Sequence, residues 1–202
     1  FLNSNEAIFP NANGGRDWTV RNYSNGNESI VDLIQATRVS SNTVFAELML
    51  EVGPANAVRM ARDLGIESDL PEVNSLVLGS GEVSVLDMAS AYSTFARRGQ
   101  SIEPIIITKV EQVTRDGEIR VLEQASTKAD QALSATVADQ MNFVLRQVVL
   151  GGTGSGANLG VPIAGKTGTT QDYRDAWFVG YTPQLTTAVW MGYPDPDENG
   201  DP

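Results

Sequence analysis

A lysine, a glycine and several threonines stand side by side near the carboxyl end of the chain, in residues 163–170, which read Ile-Ala-Gly-Lys-Thr-Gly-Thr-Thr. Lys166 offers an ammonium charge, Thr167 and Thr169 offer rotatable hydroxyl donors, and Gly168 lets another chain come close to the backbone. This combination suits the recognition of an anionic or acyl-containing ligand. The alternative interpretation is a tight turn between strands with one exposed lysine, so the surrounding sequence has to decide.

Read from Gly160, the same stretch formally matches the phosphate-binding pattern Gly-x-x-x-x-Gly-Lys-Thr of nucleotide hydrolases. That loop needs a helix after it and backbone N–H groups that converge on the phosphates. Here the four residues after Gly160 are Val-Pro-Ile-Ala, an extended apolar segment whose proline lacks an N–H. The residues after Thr167 lead into a predicted strand. The context therefore argues against a nucleotide hydrolase, which stays a remote alternative.

The composition excludes several kinds of catalysis. The 202 residues include no cysteine and no histidine, so a thiol nucleophile, a Ser-His-Asp triad and the usual zinc sites are excluded. We expect neither a metal nor a cofactor. The chain has 14 basic and 25 acidic residues and a net charge of -11, which is unsuited to binding nucleic acid through a broad basic surface. A hydrophobic content of 41% and this length suit one folded domain.

A second polar group interrupts a predicted helical pattern in residues 39–42, Val-Ser-Ser-Asn. We predict a helix that begins with Ser29 as its cap and breaks here, before apolar residues resume helical spacing. One interpretation is a plain junction between two helices, with Ser40 or Asn42 as an N-cap. The functional interpretation places Ser40 and Asn42 on one side of a short connector, as a proton carrier and an amide donor.

The rest of the chain predicts the elements that position these groups. Residues 1–28, rich in Asn, Gly and Ser, predict loops and turns with Trp18 and Tyr23 as apolar anchors. The glycine-rich residues 151–156 predict a flexible stop after a helix. Start and stop signals and apolar spacing predict further elements: helices from Pro54 to Gly65, from Ser84 to Gly99 and from Ser134 to Val148, a hairpin from Ile105 to Leu122, and three antiparallel strands in the last quarter.

Five blocks of sequence together resemble the class A (bifunctional) penicillin-binding proteins, in the carboxyl-terminal part of their transpeptidase domain. These blocks are residues 21–23 (Arg-Asn-Tyr), 40–45 (Ser-Ser-Asn-Thr-Val-Phe), 78–89 (from Leu-Gly-Ser-Gly-Glu to Asp-Met-Ala), 164–170 and 175–183 (Asp-Ala-Trp-Phe-Val-Gly-Tyr-Thr-Pro). They occur in the family's order and spread over nearly the whole chain. The resemblance implies an α+β, β-lactamase/transpeptidase-like fold, with an antiparallel sheet flanked by helices and a helical subdomain.

The resemblance also implies roles for the polar residues. Ser40 would relay a proton between the catalytic centre and the leaving group, and Asn42 would hydrogen-bond the substrate's amide. Lys166 would hold the electrostatic field of the site and attract the donor's carboxylate. Thr167 and Thr169 would bind that carboxylate, and the N–H of Thr169 would form half of the oxyanion hole. Gly168 would leave room for the substrate along the strand edge.

One part of the family's machinery has no counterpart in this sequence. The family's nucleophile is the serine of a Ser-x-x-Lys motif, but the three lysines here, Lys109, Lys128 and Lys166, follow Ile106, Ala125 and Ile163 at that spacing. We therefore expect residues 1–202 to be a fragment of a transpeptidase domain that lacks the upstream Ser-x-x-Lys segment and the last helix. A segment carrying that motif is the expected protein partner.

The resemblance implies a peptidoglycan D,D-transpeptidase on the extracytoplasmic side of a bacterial membrane, anchored through a part outside this chain. Its expected ligands are peptidoglycan stem peptides and β-lactam antibiotics, which it would bind covalently through a serine. Two alternatives remain open. A serine β-lactamase-like hydrolase shares the motifs, and a catalytically dead binding module fits the missing nucleophile.

Overall fold

Helices and short antiparallel sheets alternate along the described part of the chain. The structure is a computed structural model and describes residues 1–23, 28–170 and 174–192. The α-helices are α1 (Leu33–Val39), α2 (Asn42–Val52), α3 (Pro54–Leu64), α4 (Val85–Ala96) and α5 (Ala135–Gly151). The strands are β1 (Leu2–Asn3), β2 (Glu6–Asn13), β3 (Arg16–Arg21), β4 (Ser29–Ile30), β5 (Gln100–Ser101), β6 (Lys109–Val113), β7 (Ile119–Gln124), β8 (Asp130–Gln131), β9 (Ala164–Thr169), β10 (Asp175–Tyr181) and β11 (Thr186–Gly192).

The largest sheet is antiparallel and has the order β11-β10-β9. Helix α5 packs on β9, and α4 packs on β10 and β11. Between them lies a core of Leu145, Ala164 and Tyr181, against which Tyr92 and Phe95 pack. The three consecutive strands and the helices that flank them confirm the predicted α+β fold. Within the described residues β9 has a partner on one side only, so the strand that carries Lys166 forms an edge of this sheet, as predicted.

Several predicted helix starts are confirmed because their signals are local. Ser84 and Ser134 are N-caps whose hydroxyls accept hydrogen bonds from the N–H groups of Asp87 and Val137. Helix α3 begins at Pro54 and ends before Gly65, whose φ of 105° suits a glycine. None of the helices in the described ranges is long and apolar enough to cross a bilayer.

The amino-terminal region differs from its prediction. Residues 1–28 include the hairpin of β2 and β3 rather than loops alone. Gly14 and Gly15 adopt positive φ values of 58° and 82°, which suits the tight turn between two antiparallel strands. Trp18 packs against Phe9, with ring centroids 5.7 Å apart, and is an anchor as predicted. Tyr23, the other predicted anchor, is 79% exposed. Residues 24–27 lie outside the described residues.

Two further boundaries are also corrected. Ser29 lies in strand β4, and the helix that follows begins later, with Asp32 as the N-cap that accepts from the N–H of Gln35. The predicted strand from Ile105 is confirmed only over Lys109–Val113, where it pairs with β7. The apolar run before β6 is largely exposed, with Ile106 at 90%. Apolar residues there suggested a strand, but no partner strand covers them within the described residues.

Candidate active site

The candidate site is formed where the edge strand β9 meets the junction between α1 and α2. Lys166 Nζ donates a hydrogen bond to Ser40 Oγ over 2.7 Å, joining residues 126 positions apart in sequence. Its ammonium also donates to the carbonyl oxygen of Thr167 over 3.0 Å. The structure therefore brings together the two polar groups that the sequence analysis singled out separately.

Burial sets the protonation behaviour of Lys166. The side chain is mostly withdrawn from water, and this desolvation lowers the pKa of Lys166 from 10.5 to about 8. A lysine with such a pKa exchanges its proton readily near neutral pH. Lys166 lies within β9 rather than at the start of a helix or in a turn. The phosphate-binding loop and the tight turn are therefore both wrong as interpretations of this stretch.

Ser40 occupies a backbone conformation that few serines adopt. It ends α1 with φ 58° and ψ 51°, in the left-handed region. A residue with a Cβ pays about 1–2 kcal/mol for this conformation, and glycine is the usual occupant of such a position. The chain changes direction at Ser40, so that α1 ends at Val39 and α2 begins at Asn42. Ser41 is the N-cap of α2 and accepts a hydrogen bond from the N–H of Val44. The hydroxyl of Ser40 thereby lies at the corner between two helices, facing β9.

Asn42 lies at the same corner but its side chain has other partners. It is the first residue of α2 rather than part of a connector. Its Nδ2 donates to the carbonyl oxygen of Arg21 over 2.9 Å. The predicted junction between helices is therefore confirmed, with Ser41 and not Ser40 or Asn42 as the N-cap. Of the two polar residues at the corner, it is Ser40 that contacts Lys166.

Asn22 holds this corner together and was missed as an individual residue in the sequence analysis. Its Oδ1 accepts from the N–H groups of Asn42 and Thr43, over 2.7 and 3.3 Å. Its Nδ2 donates to Asn3 Oδ1 and to Ser4 O, each over 2.8 Å. One amide thus satisfies the first N–H groups of α2, which a helix leaves unpaired, and ties them to the amino-terminal segment. A contact between residues 20 positions apart leaves no periodic signal in the sequence.

The remaining predicted residues lie along β9. Thr167 Oγ1 lies 2.7 Å from Thr153 Oγ1, in the loop after α5. Gly168 pairs with Trp177 across the sheet, and a Cβ there would lie 3.2 Å from the Trp177 Cβ. Packing against this neighbour is thus one reason for a glycine. Thr169 is exposed and ends the strand.

Residues 2–200 match the family model described as the penicillin binding protein transpeptidase domain, and the chain belongs to that family. Over 192 residues it is 38% identical to penicillin-binding protein 1A of Neisseria gonorrhoeae, covering 92% of this chain but 24% of that protein. The chain thus spans about a quarter of the length of the curated relatives it matches.

Solved structures of related proteins have the same fold as this chain. The penicillin-binding protein PonA1 from Mycobacterium tuberculosis superimposes with a TM-score of 0.79 at 31% identity, covering 100% of this chain and 57% of that one. The same protein in complex with penicillin V gives a TM-score of 0.72 at 34% identity, covering 88% and 52%. The family resemblance and the fold class inferred from the sequence are thereby confirmed.

Proposed function

We propose that this chain supplies the Lys166 side of a peptidoglycan D,D-transpeptidase site, and that a segment carrying Ser-x-x-Lys supplies the nucleophile. The observation that carries the proposal is the 2.7 Å contact between Lys166 Nζ and Ser40 Oγ. It joins the serine to which the family resemblance assigns a proton relay and the lysine to which it assigns the electrostatic field of the site. A polypeptide in which such a segment precedes this chain is termed the complete domain below.

The reaction proceeds by serine acyl transfer. The serine oxygen bonds to the carbonyl carbon of the donor stem peptide, its proton passes to the lysine of the same segment, and the C–N bond to the terminal D-alanine breaks. The departing amine takes a proton through Ser40. An amine of a second stem peptide then attacks the ester, so that a C–N bond forms, the C–O bond to the serine breaks, and the amine gives up a proton while the released serine regains one. A β-lactam undergoes only the first step efficiently, because the amine that its opened ring releases stays tethered at the site.

Lys166 and Ser40 form the proton relay of this reaction. Ser40 Oγ accepts a hydrogen bond from Lys166 Nζ and can donate its own proton to the departing amine. Lys166 replaces that proton, and its pKa of about 8 lies close to physiological pH, which suits a general acid. Its charge, held in a site largely shielded from water, also attracts the donor's carboxylate.

The other predicted residues bind the donor. The hydroxyls of Thr167 and Thr169 bind its carboxylate, Gly168 lets the peptide lie along the edge of β9, and Asn42 bonds its amide. Because Thr170 N–H bonds to Asp175 on β10 and successive N–H groups of a strand point in opposite directions, we expect the N–H of Thr169 to point to the open edge. That direction suits an oxyanion donor, typically worth about 3 kcal/mol of transition-state stabilisation.

The proposed partners follow from the substrate. Peptidoglycan stem peptides are the donor and acceptor, and β-lactams are covalent inhibitors. Penicillin V is bound in one of the related solved structures, that of PonA1. Peptidoglycan lies outside the cytoplasmic membrane, so the site works on its extracytoplasmic face, with the membrane anchor in a part of the protein outside this chain.

The proposal is tested by covalent labelling with a fluorescent penicillin. We expect the complete domain to carry a label after denaturation and gel electrophoresis, and the 202-residue chain alone to carry none, because it has no Ser-x-x-Lys. A complete domain whose motif serine is replaced by alanine is the matched control and should also stay unlabelled. Labelling of the chain alone would refute the requirement for a second segment.

A second candidate is a binding module without catalysis. In that case neither the chain nor the complete domain would be labelled. Reversible binding of stem peptides would then persist. Rapid release of the label after acylation, within seconds rather than hours, would instead favour a β-lactamase-like hydrolase.

A further inference from the structure

The glycine-rich loop after α5 is tied to both halves of the candidate site. Arg38 Nε donates to the carbonyl oxygen of Gly151 over 2.9 Å. The N–H of Thr153 donates to the carbonyl oxygen of Arg38 over 3.1 Å, two residues before Ser40. The hydroxyl of Thr153 lies 2.7 Å from that of Thr167 on β9. The segment therefore bridges the end of α1 and the Lys166 strand, and the prediction of a merely flexible stop is wrong.

Glycine is required in this loop by a close approach of two backbones. A Cβ on Gly152 would lie 2.3 Å from the carbonyl oxygen of Arg38, which no side chain can tolerate without displacing the backbone. Gly154 is buried beside Val148 and Phe178. The glycines thus let the loop pack closely against α1, α5 and β10 rather than loosening it. Thr153 lies between them, with its backbone fixed by Arg38.

The hydrogen-bonding capacity of the two threonines constrains what they can do for a ligand. Each hydroxyl has one proton and two acceptor lone pairs. When Thr153 donates to Thr167, the proton of Thr167 is left to donate to an anion. A hydroxyl that already accepts a hydrogen bond is also polarised into a stronger donor. The contact therefore favours the arrangement in which Thr167 points its proton at a carboxylate.

We infer that Thr153 is a positioning residue that orients the hydroxyl of Thr167 toward the carboxylate of the donor peptide or β-lactam. The inference rests on the proposed function, since it assumes that Thr167 binds that carboxylate. Thr153 acts through Thr167 and contributes its hydroxyl, while its backbone keeps α1 and β9 together. Removing the hydroxyl leaves the bond from the Thr153 N–H to Arg38 in place.

The test compares acylation of the complete domain by a penicillin and by its carboxylate methyl ester. Thr153→Val keeps the shape of the side chain and removes the hydroxyl, and Thr153→Ser keeps the hydroxyl. We expect the wild type to react faster with the free acid than with the ester. In the Val variant the ratio of these two acylation rates should fall by about tenfold, as is typical when a hydrogen bond to a charged group is weakened. Its rate with the ester should be unchanged, and the Ser variant should retain the preference.

The control variant is Thr136→Val, at an exposed position on α5, which should change neither acylation rate. An unchanged acid-to-ester preference in the Val variant would overturn the inference, and so would an equal loss with both substrates, which indicates a structural role alone. If the wild-type complete domain is acylated by neither compound, the proposed function itself fails, and this inference fails with it.

Discussion

Lys166 is a positive charge in surroundings that disfavour it. Burial lowers its pKa from 10.5 to about 8, while its Nζ keeps hydrogen bonds to Ser40 and to the Thr167 carbonyl. A side chain chosen for stability alone would be apolar at this position. The charge is therefore retained at a cost to folding, which supports the proposed role of Lys166 in a reaction.

Replacing Lys166 by methionine should stabilise the fold at neutral pH. Between pH of about 8 and about 10.5 the unfolded chain binds more protons than the folded one, so the wild type gains stability as the pH rises through this window. Below about pH 8 the cost of the buried charge is present in full. We expect Lys166→Met to raise the free energy of unfolding at pH 7 by about 1–3 kcal/mol, and the advantage to shrink toward pH 10.

Urea unfolding of both proteins at pH 7, 8.5 and 10 measures this difference. Lys128→Met is the matched control, because the Lys128 side chain is 78% exposed and its loss should change stability little at any of these pH values. A Lys166→Met variant that is less stable than the wild type at pH 7, or an advantage that does not change with pH, would contradict the account.

The sequence predicts which single residues belong to the site better than it predicts the residues that they contact. Lys166 and Ser40 stand out because their types break the surrounding apolar patterns, and the structure joins them. Asn22 and Thr153 do not stand out, because their importance comes from hydrogen bonds to residues distant in sequence. An asparagine or threonine among other polar residues carries no local sign of such a bond.

The elements that position the site depend on one amide. Asn22 follows β3 and bonds to the first N–H groups of α2. It also bonds to Asn3 and Ser4 of the amino-terminal segment. The hairpin of β2 and β3, the segment from β1 and the helical corner thus meet at a single side chain. The position of the Ser40 hydroxyl depends on this junction, since Ser40 directly precedes the N-cap of α2.

Removing the Asn22 amide should destabilise the fold. In Asn22→Ala the N–H groups of Asn42 and Thr43 lose their acceptor, and partly buried donors left unpaired cost about 1–3 kcal/mol. We expect a loss of about 2–4 kcal/mol in total, measured by urea unfolding. Asn158→Ala, at an exposed position, is the control and should change stability by less than about 0.5 kcal/mol. An equal effect of the two substitutions would show that Asn22 does not hold the corner.

Local signals explain which elements could be predicted. The caps at Ser84 and Ser134 and the Pro54 start are read from neighbouring residues, and all three helices are confirmed. The hairpin of β2 and β3 was missed because Pro10, Asn11 and Asn13 within β2 are typical of turns and most residues of the two strands are exposed. Its pairing depends on the Gly14–Gly15 turn and the contact of Phe9 with Trp18. The turn is a local signal, but it lies in a stretch that is typical of loops, and the ring contact joins residues that are apart in sequence.

On the scale of the whole molecule, the candidate site lies where two parts of the fold meet. One part is the edge strand β9 and the other is the corner between α1 and α2, with Lys166 and Ser40 in contact between them. The loop at Gly152 and Thr153 is hydrogen-bonded to both parts. A proton relay needs both residues, so we expect the pair, and not either residue alone, to be required for the reaction.

A double-mutant cycle on the acylation rate of the complete domain measures whether Ser40 and Lys166 act together. Residues that form one proton relay show strongly non-additive losses. We expect Ser40→Ala and Lys166→Met each to slow acylation by a fluorescent penicillin by about 10²- to 10⁴-fold, and the double variant to be no slower than the slower single variant. Losses that multiply, or a Ser40→Ala variant as fast as the wild type, would contradict a shared relay.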